Sequence, residues 1–210
     1  MKIIAYIFIV VGAICLSIGG WEWYATTHQE ERALAKAEKL VAKTGDAPAK
    51  DQVSESDGKR HEKKAGDPSF AKDDVIGLLV LPRLDRKLPI VEGTDLKQLK
   101  KGVGHYIGTA LPGGHDQIFL AGHRDTVFRH LGEMKKGDDV IIKMPYGTYR
   151  YKVTGSKIVP SDDRTIIRPT APKETLVLAS CYPFVFVGHA PDRFILYAEP
   201  AGSTKADQKS

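Results

Sequence analysis

Cysteine is almost absent from this chain: among its 210 residues only Cys15 and Cys181 carry a thiol. Two thiols so far apart, one of them inside an apolar N-terminal run, exclude a disulfide framework and a cysteine-rich zinc site. Tryptophan is as scarce, and both residues, Trp21 and Trp23, stand at the end of that run. Charge of one sign is missing too. The 31 Lys and Arg against 26 Asp and Glu leave a formal net charge of +5, spread over mixed Lys/Glu stretches. No basic patch is interleaved with aromatics, so nucleic acid is not an expected partner. Internal repeats are absent as well. What remains is 42% hydrophobic and 27% charged, the composition of a folded chain with room for one domain and its appendages.

One long apolar run exists. Ile3 to Trp21 is 19 positions without a charged side chain, and a helix of that length approaches the ~30 Å hydrocarbon core of a bilayer. Trp21, Trp23 and Tyr24 follow it, as amphipathic rings do at a membrane boundary. A cleaved signal peptide would have a shorter apolar core and a small-x-small exit. The exit here is Gly19-Gly20-Trp21-Glu22-Trp23. Ile14 is too bulky before Cys15 for a lipoprotein acylation site. Residues 1–24 therefore read as an uncleaved single-pass anchor. Lys2 and the amino terminus lie on one side, and Glu22, Glu30 and Glu31 precede Arg32 on the other, which predicts a cytoplasmic N-terminus and an extracellular domain.

From 25 to 71 the composition turns polar, with nine basic and nine acidic side chains. Glu30–Lys43 is rich in helix formers and reads as a stalk helix, and Gly45–Gly66 as a linker that cannot bury a core. Residues 72–200 carry folded-domain patterning, and 201–210 form a polar tail. Strands are expected at Val75–Leu81, Leu88–Val91, Gln117–Gly122, Asp139–Met144, Thr148–Val159, Thr175–Ser180 and Phe194–Glu199, with short helices at Asp95–Lys101 and Val127–Leu131 and a turn near Arg164–Ile167. Many short strands with few helices predict a mainly β fold, a closed β-barrel whose strand order the pattern does not give.

Three of those strand ends carry chemistry. Thr175–Ser180 leads into Cys181-Tyr182-Pro183-Phe184, Ile118–Ala121 delivers Gly122-His123-Arg124-Asp125, and Arg193 opens the last strand. A thiolate attacks, an imidazole moves protons, and an arginine that is always charged steadies an oxyanion. Residue type alone leaves rivals. The chain has seven histidines, of which His28 and His61 fall in the tether and His105, His115, His130 and His189 beside Gly or loop residues. Arg124, Arg129 and Arg168 compete with Arg193.

Leu176–Phe184, Phe119–Arg124 and Asp192–Tyr197 resemble the three signature segments of the sortase family, in the right order. The Gly-His-Arg-Asp-Thr-Val-Phe and Cys-Tyr-Pro-Phe runs are most similar to class D sortases of Gram-positive bacteria. The resemblance implies a sortase-type barrel in which Cys181 attacks the threonine carbonyl of a Leu-Pro-x-Thr-Gly or Leu-Pro-x-Thr-Ala sorting signal (LPxTG or LPxTA) on a secreted protein, His123 serves as acid and base, and Arg193 holds the oxyanion. It implies Ser180 and Tyr182 as substrate contacts and the amine of a lipid-linked peptidoglycan precursor as second substrate. No metal or other cofactor is implied. Pilus-building members often carry an Asp-Pro-aromatic flap and a second membrane helix. Here Asp67-Pro68-Ser69-Phe70 is off by one residue and the tail is short, which points to cell-wall anchoring rather than pilus polymerisation. A thiol hydrolase using water and an inactive anchored scaffold are the rival readings.

Overall fold

The structure, a computed structural model, describes residues 28–42 and 69–202 except 186, 187 and 189, together with positions 10, 12, 14, 15 and 17. The predicted anchor, apart from those five positions, and the linker Gly45–Gly66 lie outside the described residues. Among the described residues no helix is long and apolar enough to cross a membrane.

Eight strands close into a barrel: β1 Val75–Leu81, β2 Arg86–Glu92, β3 Val103–His105, β4 Gln117–Gly122, β5 Asp139–Met144, β6 Gly147–Pro160, β7 Thr175–Tyr182 and β8 Asp192–Pro200. Around the barrel they run β1-β2-β3-β4-β7-β8-β6-β5, and the first pairs with the last. Closure leaves no exposed edge. Two joins are parallel, β2–β3 and β4–β7, and the rest antiparallel. Consequently β1, β4, β6 and β7 all point to one end, here the upper end.

Alternation along each strand fills the barrel. Leu79, Leu81, Leu88, Ile90, Ile118, Leu120, Ile142, Leu176, Leu178 and Leu196 are buried almost completely in one central cluster, each contributing about 1.5–3 kcal/mol of transfer free energy. The opposite faces of β4, β7 and β8 form a second apolar cluster outside the barrel: Phe119, Val177, Ala179 and Ile195, with Val159 of β6.

Three elements differ from the expectation. β3 was not foreseen, because a three-residue strand containing Gly104 carries no alternation to detect. The helix expected at Val127–Leu131 is instead a string of turns ending in a 3-10 turn at Leu131–Glu133. Its apolar spacing is real, since Val127, Phe128, Leu131 and Met134 are all buried. Most of its backbone bonds are i to i−3, however, as in Leu131 N–H to Phe128 O at 3.1 Å, so the segment is a tight cap on the upper end. Asp95–Lys101 forms only a short helix, α2, at Leu96–Leu99.

Residues 28–42 do form a helix, α1. Rather than standing free as a stalk, it lies on the outer wall of the barrel. Ala33 and Ala37 pack with Val75, Leu78 and Val91, and Leu34, Val41 and Val80 flank them.

Candidate active site

Cys181 is the penultimate residue of β7, half-buried, with a free thiol. Its antiparallel neighbour on β8 is Arg193, which places their Cβ atoms about 4.5–5.5 Å apart on the same face of the sheet. On the other side β4 runs parallel to β7 and pairs Gly122 with Ser180. His123, the next residue, thus stands level with Cys181 one strand away, about 4.8 Å in the hydrogen-bonding direction. The register brings the three predicted catalytic side chains to adjacent positions on the upper rim.

That face is the outer one. Val177 and Ala179 precede Cys181 on it, Ile195 follows Arg193, and Phe119 and Ala121 precede His123, all in the outer apolar cluster. Ile166 and Ile167 of the β6–β7 loop pack against the same strip. The loop is pinned there by Gln117, whose Nε2 donates to Ile166 O at 2.9 Å and whose Oε1 accepts from Arg168 N–H at 3.0 Å. An apolar strip therefore leads along the sheet to the polar set.

Ser180 and Tyr182, the expected substrate contacts, lie on the face of β7 opposite to Cys181. The pleat turns every second residue inward, and both positions are even. Ser180 is 2% exposed, and its hydroxyl donates to Gly122 O at 3.1 Å, tying the ends of β4 and β7 together. Tyr182 packs at the top of the core against Phe184 and Phe194, at ring-centroid distances of 5.7 and 6.4 Å.

Gly122 explains why the histidine motif opens with glycine. A Cβ there would come within 2.6 Å of Phe128 and 2.7 Å of Val127. The missing side chain lets the upper cap fold back over the strand end, and Phe128 N–H then donates to His123 O at 3.0 Å.

Arg124 takes a part that the sequence had not assigned to it. The residue is 8% exposed. Its Nη1 donates to Pro183 O at 3.0 Å and its Nη2 to Gly188 O at 2.9 Å, so one guanidinium clasps both ends of the loop between β7 and β8. Its Nε pairs with Asp125 at 3.2 Å, and the carboxylate beside the histidine motif is thereby directed to arginine. Arg193 is held by the far end of the same loop, where Nη1 donates to Asp192 O at 2.9 Å and to Ala190 O at 3.3 Å.

The other described histidines lie elsewhere. His105 is 3% exposed near the lower end, donating from Nδ1 to Glu92 at 2.8 Å, with Nε2 within 3.1 Å of Thr109 Oγ1. His115 is exposed in the lower loop before β4. His130 and His28 pair at the surface with Glu133 and Glu31. His61 and His189 lie outside the described residues. A cavity of about 760 Å³ opens at the lower end, bounded by Phe70, His105, Asp116 and Tyr149 among others. It is remote from Cys181. Phe70, the aromatic of the flap-like Asp67–Phe70 run, sits there against the core. Nearby, Glu174 accepts from Gly113 and His115 N–H at 2.9 and 3.1 Å and from the Tyr151 hydroxyl at 2.7 Å. Burial and that carboxylate push the Tyr151 phenol far above the usual tyrosine range. Among the described residues no group of His, Cys, Asp and Glu is arranged to hold a metal.

A closed barrel with a thiol, an imidazole and a guanidinium on three neighbouring strand ends is the architecture of a thiol acyl-transfer enzyme. The family model described as "Sortase domain" matches residues 79–201, and the chain belongs to the sortase family of cysteine transpeptidases. It is 39% identical over 200 residues to Sortase D of Bacillus subtilis, covering 94% of this chain and 98% of that protein. Among solved structures, a Clostridium perfringens Sortase D5 transpeptidase superposes with a TM-score of 0.62 at 20% identity over 83% of this chain and 99% of its own, a likeness of fold. Sortase A of Corynebacterium diphtheriae superposes with a TM-score of 0.58 at 25% identity over 87% of this chain and 86% of its own.

Proposed function

We propose that the protein is a membrane-anchored sortase in which Cys181, His123 and Arg193 cleave a Leu-Pro-x-Thr-Gly or Leu-Pro-x-Thr-Ala sorting signal and transfer the threonyl group to an amine of a lipid-linked cell-wall precursor. The observation that carries this reading is the cross-strand register, which sets the three side chains level on one face above an apolar strip. That strip, with Ile166 and Ile167 beside it, suits the leucine and proline of the signal.

Cys181 as thiolate attacks the threonine carbonyl carbon, and the charge passes to the carbonyl oxygen. The Arg193 guanidinium, turned in this structure toward Ala190 and Asp192 carbonyls, swings to that oxyanion when substrate is present. As the tetrahedral adduct collapses the C–N bond breaks, His123 gives its proton to the leaving amine, and a thioester remains on Cys181. The acceptor amine then attacks the thioester carbonyl, His123 takes its proton, and the thiolate leaves with the new amide formed. Residues 1–24 hold the domain at the outer surface of the cell membrane with the N-terminus inside.

The test is product partition by the full chain in detergent micelles, with a sorting-signal peptide and rising hydroxylamine. Hydroxamate should displace the free acid and the rate should climb, while Cys181→Ala forms no acyl-enzyme. A free acid that dominates at every amine concentration would make the protein a hydrolase.

A further inference from the structure

β1 points to the upper end, so the chain enters the barrel at Val75 at the lower end, away from Cys181. An anchor joined directly there would leave the catalytic rim facing away from the membrane. The helix α1 reverses this. Glu30, in its first turn, lies 3.7 Å from Arg86, and Arg86 opens β2 opposite Leu81, the upper end of β1. From Glu30 the helix runs down the wall with Ala33 and Ala37 buried against Val75, Leu78 and Val91. Its 15 residues span about 22 Å, and the seven of β1 about 23 Å, so α1 covers the strand from end to end and antiparallel to it. Residue 28 emerges at the upper end.

The upper end is also one connected rim. Arg83, in the 3-10 turn after β1, donates from Nε to Glu133 O at 2.9 Å and lies 3.2 Å from Asp138. It thus ties the place where α1 begins to the segment that follows His123.

We propose that α1 is a docked strut that turns the catalytic end of the barrel toward the lipid surface, making the membrane face the partner of the rim that carries Cys181. This rests on the anchor reading above. With the anchor ending at Trp21, seven residues lead to His28 and reach at most about 25 Å. The rim is held within that distance of the bilayer, where a lipid-linked amine resides. With α1 lifted off, more than 50 residues separate Trp21 from Val75, and the site has no imposed orientation.

The experiment uses full-length protein in phosphatidylcholine/phosphatidylglycerol vesicles that contain a rhodamine-headgroup acceptor. A donor dye on Cys181 in the Cys15→Ser protein reports the upper end. The same dye on His115→Cys, in a Cys15→Ser, Cys181→Ala background, reports the lower end. Flotation in a sucrose gradient comes first, and protein left at the bottom overturns the anchor and this proposal together. For protein that floats, half-quenching of the Cys181 donor should need several-fold less acceptor than the His115→Cys donor. Equal quenching, or stronger quenching of the lower probe, overturns the strut while leaving the anchor standing. Ala37→Asp, which sets a charge in the buried contact, should bring the two probes together with turnover of a soluble peptide retained. Should that variant unfold, Glu30→Lys sets like charge against Arg86 and should narrow the difference, while the two probes in the parent fold still decide.

Discussion

Arg124→Ala should slow the enzyme without touching its nucleophile. The guanidinium is buried and holds two carbonyls, of Pro183 and Gly188, at 3.0 and 2.9 Å. Hydrogen bonds from a charged donor are worth about 1.5–3 kcal/mol each, but two bonds from one rigid fork share a single ordering cost. The Asp125 partner is 71% exposed on its side chain and adds little. About 3 kcal/mol then favours the clasped loop, and at 1.4 kcal/mol per factor of ten its loss lowers the population of that loop by roughly 100-fold. The loop ends two residues before Arg193, so kcat/KM for a sorting-signal peptide should fall by the same order. Arg124→Lys keeps the charge but not the fork and reaches one carbonyl, so its loss should be about tenfold.

Steady-state cleavage of a fluorogenic peptide gives kcat and KM, thermal unfolding gives stability, and iodoacetamide labelling gives access to Cys181. Labelling should stay near the parent rate, because Cys181 is held by the ladders to β4 and β8 and not by the loop. An unchanged kcat/KM in Arg124→Ala would refute the clasp. A collapse of labelling in step with activity would show that the whole rim had gone, and the loop argument with it.

Three further outcomes are expected. Gly122→Ala sets a methyl 2.6 Å from Phe128, and overpacking of this kind costs about 1–3 kcal/mol. It should lower Tm and activity together, and a fully active variant of parental stability would show that the cap yields freely. Glu174→Ala strands two N–H groups and the buried Tyr151 hydroxyl, a loss of about 2–4 kcal/mol. Denaturant titration should show that loss with peptide turnover intact below the transition, and reduced turnover in the folded variant would tie the lower end to catalysis. Lys97 first, then Lys101, holds the Asp73 carboxyl at about 2 against an ordinary 3.8. A depressed carboxylate stabilises above its unfolded value and stops doing so as pH falls from about 4 toward 2. Amide exchange of α2 should therefore quicken over that window, and Asp73→Asn should abolish the change.

Much of this was legible in the sequence because strand alternation and turn residues are local signals. All seven expected strands begin within two residues of the observed ones, and the strand ends made Cys181, His123 and Arg193 candidates that the family resemblance then singled out from their rivals. The misses have one physical cause, that pairing is long-range. β3 exists because Val103, Gly104 and His105 lie between β2 and β4, not because of anything in three residues. The cap at 124–134 has helix-like apolar spacing since it covers a round barrel end, while its hydrogen bonds are those of turns. α1 was read as a helix, but nothing within it says that Ala33 and Ala37 face a wall built from residues more than 30 positions later.

Ser180 and Cys181 show the limit at its finest scale. A signature motif treats the two as one unit, and by resemblance both were given to the substrate. The pleat separates them. Odd positions of β7 continue the outer strip of Val177 and Ala179 to the thiol, and even positions continue the core of Leu176 and Leu178 to a hydroxyl that closes on Gly122 O. A hydroxyl at 180 therefore fixes β4 to β7, and so the place of His123 beside Cys181, from behind. A Thr at this position keeps the same oxygen on the same face and would serve equally, whereas Ala would leave the Gly122 carbonyl without that donor. A one-residue shift of β7 against β4 would turn the thiol into the core and the serine out to the groove. The chemistry depends on register first and on residue type second.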